Sequence, residues 1–236
     1  YLLTKDIYYK ETIEQIIEYI LRDMTSKNGA FYSAEDADSE GEEGVFYIWS
    51  NQELKSILND EQYGFIYDIL EFDDKGNCRV EGHYTNIPHF KLTWEEISAN
   101  YNISVKEAKR NYHDIRGVIF DYRENRVHPQ KDDKILVDWN GLMISALSRA
   151  GGVFNNSSYL NAAKNSADFI LDNLMNEKGE LLKSYRNGPS TINGMIEDYA
   201  FFIWGLIELY QATFNTTYIN NALLLSNYQK EHFWDE

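Results

Sequence analysis

The chain has 236 residues, 43% of them hydrophobic and 25% charged, enough to bury the core of one domain or one large fragment. A formal charge of −16 argues against a nucleic-acid surface, which needs clustered Lys and Arg, and against attraction to an anionic membrane. The one cysteine, Cys78, excludes an internal disulfide and suits a reducing compartment, and no basic-and-apolar leader opens the chain, so a cytoplasmic location is expected.

An amphipathic helix is predicted to run to about Met24, with Gly29 closing it as a C-terminal cap. The stretch that follows, "FYSAEDADSEGEEGVFYIW" (31–49), sets acids between two aromatic clusters with no basic residue among them. A calcium loop would need a bidentate acid at its twelfth position, and counting from Asp36 that position is Tyr47, so no metal is expected here. Two readings stay open, the rim of a binding cleft and a solvated loop.

Residues 30–130 read as an irregular insert. "VFYIW" reads as a strand. Ser50 with Glu53, Thr93 with Glu96 and Ser104 with Glu107 read as capping boxes, the last opening a long helix to about Arg123. "EFDDKGNCRVEGHYTNIP" reads as a loop or hairpin.

Residues 131–236 read as two consecutive helical hairpins. "DWNGLMISALSRAGGVFNNSSYLNAAKNSADFI" from Asp138 matches "DYAFFIWGLIELYQATFNTTYINNALLLSNYQ" from Asp198 at an offset of 60, with one residue of gap. In each unit the first helix is apolar nearly all round and must be buried on every side. The second carries a stripe and covers the first from outside. The longest apolar run, "YAFFIWGLI" before Glu208, is only about half of a membrane span. The N-terminal helix fits the outer position of the same unit, Tyr9, Ile17, Ile20, Leu21 and Met24 matching Tyr159, Ala167, Ile170, Leu171 and Leu174. Starting at "YLLTKD" and stopping at "HFWDE", the chain is expected to be a piece of a longer protein.

"NGAFYSAEDADSEGEEGVFYIW", "DDKILVDWNGLMISALSRAG" and "EDYAFFIWGLIELYQATF" resemble the YyaL-like proteins, which are thioredoxin-fused and six-hairpin glycosidase-like. The resemblance covers essentially the whole chain. It implies a mainly α fold, a partial (α/α)6 toroid of helical hairpins with an irregular α+β insert. It also implies kinship of fold with sugar epimerases and glycoside hydrolases, and a thioredoxin-like domain elsewhere in the full-length protein.

The repeat adds an expectation about chemistry. Each acidic motif lies where the chain passes from an outer helix to the next inner one, and in a toroid these connections share one rim. Asp36, Asp38, Asp138, Glu197 and Asp198 are therefore the candidate catalytic carboxylates, since glycoside cleavage needs one group to protonate the leaving oxygen and one to attack or activate water. Tyr32, Tyr47, Trp49, Trp139, Tyr185 and Tyr199 offer stacking faces for a carbohydrate, with Asn140 and Arg186 as polar contacts; Arg186 would bind an anionic sugar or pair with Glu197. Structural readings compete: Asp138 and Asp198 as N-caps, Trp139 and Tyr199 as core wedges, Asn140 and Gly141 as close-packing residues. The preferred pair is Asp198 with Asp36 or Asp38, since a helix N-terminus would lower the Asp198 pKa and keep it ionised as base or nucleophile. His83, His89, His113, His128 and His232 form no ligand set, and no phosphate loop or nucleophile elbow occurs, so no cofactor is expected. Two functions follow: a carbohydrate-active enzyme, glycosidase ahead of epimerase, or a non-catalytic toroid presenting a partner to the thioredoxin-like domain.

Overall fold

A computed structural model describes residues 1–80 and 82–235. Its helices are α1 Ile7–Asp23, α2 Asn51–Ile57, α3 Asp60–Ile69, α4 Trp94–Tyr101, α5 Val105–Arg123, α6 Val137–Phe154, α7 Ser157–Leu174, α8 Ile196–Thr213 and α9 Thr216–Phe233. Strands are short pairs, so the fold is mainly α, helical hairpins with an irregular α+β insert. Two compact units result: Tyr1–Ala34 with Lys131–Glu236, and Glu35–Gln130. Residues 30–34, expected with the insert, belong to the helical unit, because Asn140 in α6 binds both the N–H and the carbonyl of Phe31.

In the helical unit α6/α7 and α8/α9 are the two expected hairpins. Ile144, Leu147, Phe202, Leu206 and Leu209 of the inner helices are wholly buried. Burial of each such side chain stabilises by about 1.5–3 kcal/mol. The inner helices α6 and α8 run side by side in the same direction and touch backbone to backbone. A Cβ at Gly141 would stand 2.5 Å from the Phe201 carbonyl carbon, and one at Gly205 would stand 2.6 Å from the Gly141 oxygen. The outer helices begin at Asn156 and Asn215, whose side chains accept the Ser158 and Thr217 amides as N-caps. The repeated tyrosine also has a role. Tyr218 of α9 donates its hydroxyl to Asp168 of α7 at 3.1 Å, and Tyr159 of α7 lies in the field of Glu14 and Glu18 of α1.

The turn after α1 recurs after α7, 150 residues on. The Gly29 amide donates to Ser26 and the Gly179 amide to Asn176; the Tyr32 amide donates to Met24 and the Leu182 amide to Leu174. The sequence pattern suggested a helix cap at Gly29, but neither Gly29 nor Gly179 is one. The C-caps are Met24 and Met175, and each glycine closes a tight turn beyond the helix at positive φ, 89° and 83°. Each also lies against the next outer helix, Gly29 on Asn165, where a Cβ would stand at 2.6 Å, and Gly179 on Leu224, where it would stand at 3.1 Å.

The second unit packs α2–α5 around Leu54, Ile66, Ile69, Ile97 and Ala108, all fully buried. Ser50 and Thr93 form capping boxes with Glu53 and Glu96, while Ser104 caps the Glu107 amide. A further box, Asn59 with Gln62, opens α3. "VFYIW" is a turn and not a strand. One guanidinium nitrogen of Arg126 donates to the carbonyls of Val45, Phe46 and Ile48 at 2.8–3.3 Å, so they need no neighbouring strand. Cys78–Val80 and His83–Thr85 make a hairpin. Asp38–Ser39 pairs with Glu42–Glu43 across Glu40 and Gly41, both at positive φ, a type I′ turn that gives the acidic stretch a defined backbone.

The glycine contact gives a paired test. Gly141→Ala overpacks the α6–α8 contact and is expected to cost about 1–3 kcal/mol. Gly152→Ala, in the same helix where an added Cβ meets nothing within 4 Å, should stabilise by roughly 0.5–1 kcal/mol. Urea unfolding of the two variants measures both; equal effects would mean that α6 and α8 do not approach this closely.

Candidate active site

The backbone contact of α6 and α8 places their first turns together, and the polar groups there form one cluster. Asp138 is the second residue of α6; Glu197 and Asp198 are the second and third of α8. Asp198 is 0% exposed and both of its oxygens are engaged. Oδ2 accepts the Met195 amide at 2.7 Å, closing the start of α8, and Oδ1 accepts the Asp138 amide at 3.2 Å, tying α8 to α6. The centre of the cluster is Lys183. Its ammonium lies 3.1 Å from Asp138, 3.1 Å from Asp198 and 3.5 Å from Glu197.

Local backbone pairing holds Lys183 there. Its amide donates to Ile192 at 2.9 Å and its carbonyl accepts from Val137 at 3.2 Å; the next residues, Ser184–Tyr185, pair with Ile135–Leu136. The strand period of two puts Lys183 on the same side as buried Leu181, facing inward. Sequence reasoning passed over this lysine; the alternation Leu181, Lys183, Tyr185 before a helix start was the signal available.

Burial pushes the Asp198 pKa up, against the Met195 amide and the Lys183 ammonium that favour its charge. The sequence expectation of a lowered value is corrected: the helix start is buried, and desolvation outweighs the dipole. For Lys183, burial works against the charge, but hydrogen bonds to Asp138 and Asp198 hold its pKa above the usual lysine value. An ammonium held this firmly is a charge anchor and a poor nucleophile near neutral pH.

The expected site residues divide by exposure. Glu197 is solvent-reaching, its side chain 41% exposed, whereas Asp138 is buried, its side chain only 11% exposed. Trp139, read both as a stacking face and as a core wedge, is 52% exposed beside Asp138, so the core-wedge reading fails. Tyr32 packs half-buried against the core, and Tyr185 is half-buried edge-on to Phe169 at 5.0 Å. Arg186 pairs with Asp133 at 2.6 Å and not with Glu197.

Three residues expected on a cleft lie in cores instead. Asn140 binds Phe31, Leu136 and Ser166. The buried Tyr199 hydroxyl accepts the Leu181 amide at 2.9 Å and its ring stacks on Tyr228. Trp49, in the second unit, lies under the Arg126 guanidinium at 4.1 Å. Burial leaves these three no free face for a sugar.

Asp36 and Asp38 belong to the second unit and Asp198 to the first. Both loop aspartates are exposed, and Asp36 accepts the Asp38 amide at 3.2 Å. Tyr47 is 41% exposed and lines a shallow cleft of about 390 Å³ with Glu43, Ile48, Arg79 and Ile87. Among the described residues no group of three or more His, Cys, Asp or Glu is placed to hold a metal, and no helix is long and apolar enough to cross a membrane.

No family model matches the chain. It is homologous to spermatogenesis-associated protein 20 of Homo sapiens, 28% identical over an alignment of 267 residues that covers 99% of this chain and 34% of that protein. An uncharacterised protein of Caenorhabditis elegans is 30% identical over 253 residues, covering 96% and 34%. The chain therefore spans about a third of the length of the curated relatives it matches. Among solved structures, a D-mannose isomerase aligns with 96% of this chain and 52% of its own at 15% identity and a TM-score of 0.38, too low to carry an argument about fold or activity.

The cluster's titrations have opposite edges. Because folded Asp198 keeps its proton longer than the unfolded chain does, stability falls as pH rises from 3.8 into its raised range. The Lys183 contribution is present below pH 10.5 and is lost as pH rises through its raised folded value. Asp198→Asn should flatten the acid slope and Lys183→Met the alkaline one. Lys183→Met should also cost on the order of 3 kcal/mol near neutral pH, since it strands a buried carboxylate. Urea midpoints across the pH range would show both, and unchanged slopes would remove the cluster from the unit's stability.

Proposed function

We propose that the chain is part of a carbohydrate-active helical toroid of the YyaL-like, thioredoxin-fused kind, acting on glycosides in preference to epimerising sugars. The observation that carries this reading is Lys183 held between Asp138 and Glu197 at the first turns of two inner helices. Two carboxyls within 3.5 Å of one nitrogen lie within about 6–7 Å of each other. That range contains the retaining spacing of about 5–5.5 Å and meets only the low end of the inverting range, roughly 6.5–9.5 Å. Glu197, the more exposed, is assigned as acid and base, Asp138 as the carboxylate facing the developing positive charge, and Lys183 as the group that orients Asp138. Trp139 supplies an exposed ring face beside them. Asp198 is assigned no catalytic role, since both of its oxygens are bound internally.

A second reading has its own observation. Each charge in the cluster already has an internal partner, which suits a framework that fixes helix ends in a non-catalytic module binding a client for the thioredoxin-like domain.

Screening the full-length protein on oligosaccharides separates the two. Glu197→Gln and Asp138→Asn, compared at matched stability, should each lower kcat by about 100-fold or more. Asp36→Asn and Asp38→Asn serve as the comparison from the acidic loop. Full activity in both cluster variants would end the enzymatic assignment made here, and a loss confined to the loop variants would move the chemistry to residues 36–38.

A further inference from the structure

A cleft within the second unit lies away from the acidic loop, between α3 and α5, with a volume of about 530 Å³, in the size range of ligand sites. Its floor is apolar: Phe65 and Ile115 are buried, and Tyr101 and Ile103 close one end. Its walls are acidic. Glu107, Asn111 and Asp114 lie at spacings of four and three on α5 and so share a face, and Glu61 stands opposite on α3. The lining holds no lysine, arginine or histidine. Glu61 and Asp114 are exposed, and Glu107 has only a 3.8 Å contact to the well-exposed Arg110. The neighbouring amides of Asn59 and Gln62 use their oxygens to cap α3, which leaves their N–H₂ groups as donors at the mouth.

We propose that this α3–α5 cleft docks a basic amphipathic helix of a partner protein, its apolar side on Phe65, Ile103 and Ile115 and its Lys or Arg side chains between Glu61 and Asp114. Charge complementarity selects this occupant. An acidic or neutral apolar helix would leave carboxylates of both walls desolvated without partners, whereas a cationic one neutralises them while its stems cover the floor. Acidic groups on two helices beside an apolar floor suit the helix-in-groove mode of recognition, in which anchors recur at three- and four-residue spacing.

The test is fluorescence anisotropy with the protein and a labelled helical peptide carrying Leu and Lys on opposite faces. Glu61→Lys/Asp114→Lys should weaken binding by about tenfold or more, beyond any loss in Glu18→Lys/Glu177→Lys, which changes net charge equally at exposed sites of the helical unit. All four positions are exposed, so folding should survive, and circular dichroism melts verify it. A peptide with Ser in place of Leu should also bind about tenfold more weakly. Equal loss in the two double variants would reduce the effect to the overall negative charge and overturn the proposal. So would equal affinity for the Ser peptide, or no binding of the Leu/Lys peptide.

Discussion

Where Gly141 meets Phe201 and Gly205 meets the Gly141 carbonyl, two helices pack with no side chain between them. That approach fixes how far apart the starts of α6 and α8 can be. Unsatisfied first-turn amides of adjacent parallel helices repel one another, each helix presenting the positive end of its dipole. A carboxylate between them answers both problems, and Asp198 does so with one oxygen on its own helix and one on its neighbour. The negative charge concentrated by Asp138, Glu197 and Asp198 then calls for a cation, and Lys183 lies where the connecting strand pairing can deliver it. Helix packing thus leads in sequence to the cap, the cluster and the polar surface beside Trp139.

The repeat shows one structural demand met in two ways. After each outer helix the chain makes the same tight turn, and the residue two beyond the turn glycine has an amide pointing at the next inner helix. At Phe31 that amide is accepted by the Asn140 side chain, and at Leu181 by the Tyr199 hydroxyl. Asn140 and Tyr199 are not aligned in the repeat, so the demand belongs to the backbone geometry and the side chain that meets it is free to vary. An unmet buried amide would cost about 1–3 kcal/mol, which explains why these polar groups are buried and why neither is available for a ligand.

The helical hairpins were legible because a buried inner helix and a striped outer one write different periodicities. Predicted spans of 131–236 resolve into α6–α9, and the 60-residue self-match becomes two like hairpins. Capping boxes were legible for the same local reason, at Ser50 and Thr93. What failed depended on distant partners. "VFYIW" has strand propensity, but Arg126 supplies from far along the chain the donors that a strand would have supplied. Trp139 and Tyr199 occupy equivalent positions, yet one ring is 52% exposed and the other 2%. The difference lies in what packs against each helix, α9 against Tyr199 through Tyr228 and Phe233.

Lys183 shows most clearly where reading by residue type stops. Reading by residue type found Asp138, Glu197 and Asp198 and preferred Asp198, paired with Asp36 or Asp38 of the acidic loop. The structure ranks them by water. Asp198, at 0% exposure, spends its charge on holding two helices, while Glu197 at 41% keeps an edge free for a ligand. The ranking follows from position in the helix: the third residue of α8 turns back toward the neighbouring helix start, the second turns outward. Adjacent acids in the sequence "GMIEDYA" therefore have opposite fates, one architectural and one available for chemistry. The lysine between them makes both affordable by neutralising the buried charge and shaping the field at the exposed one.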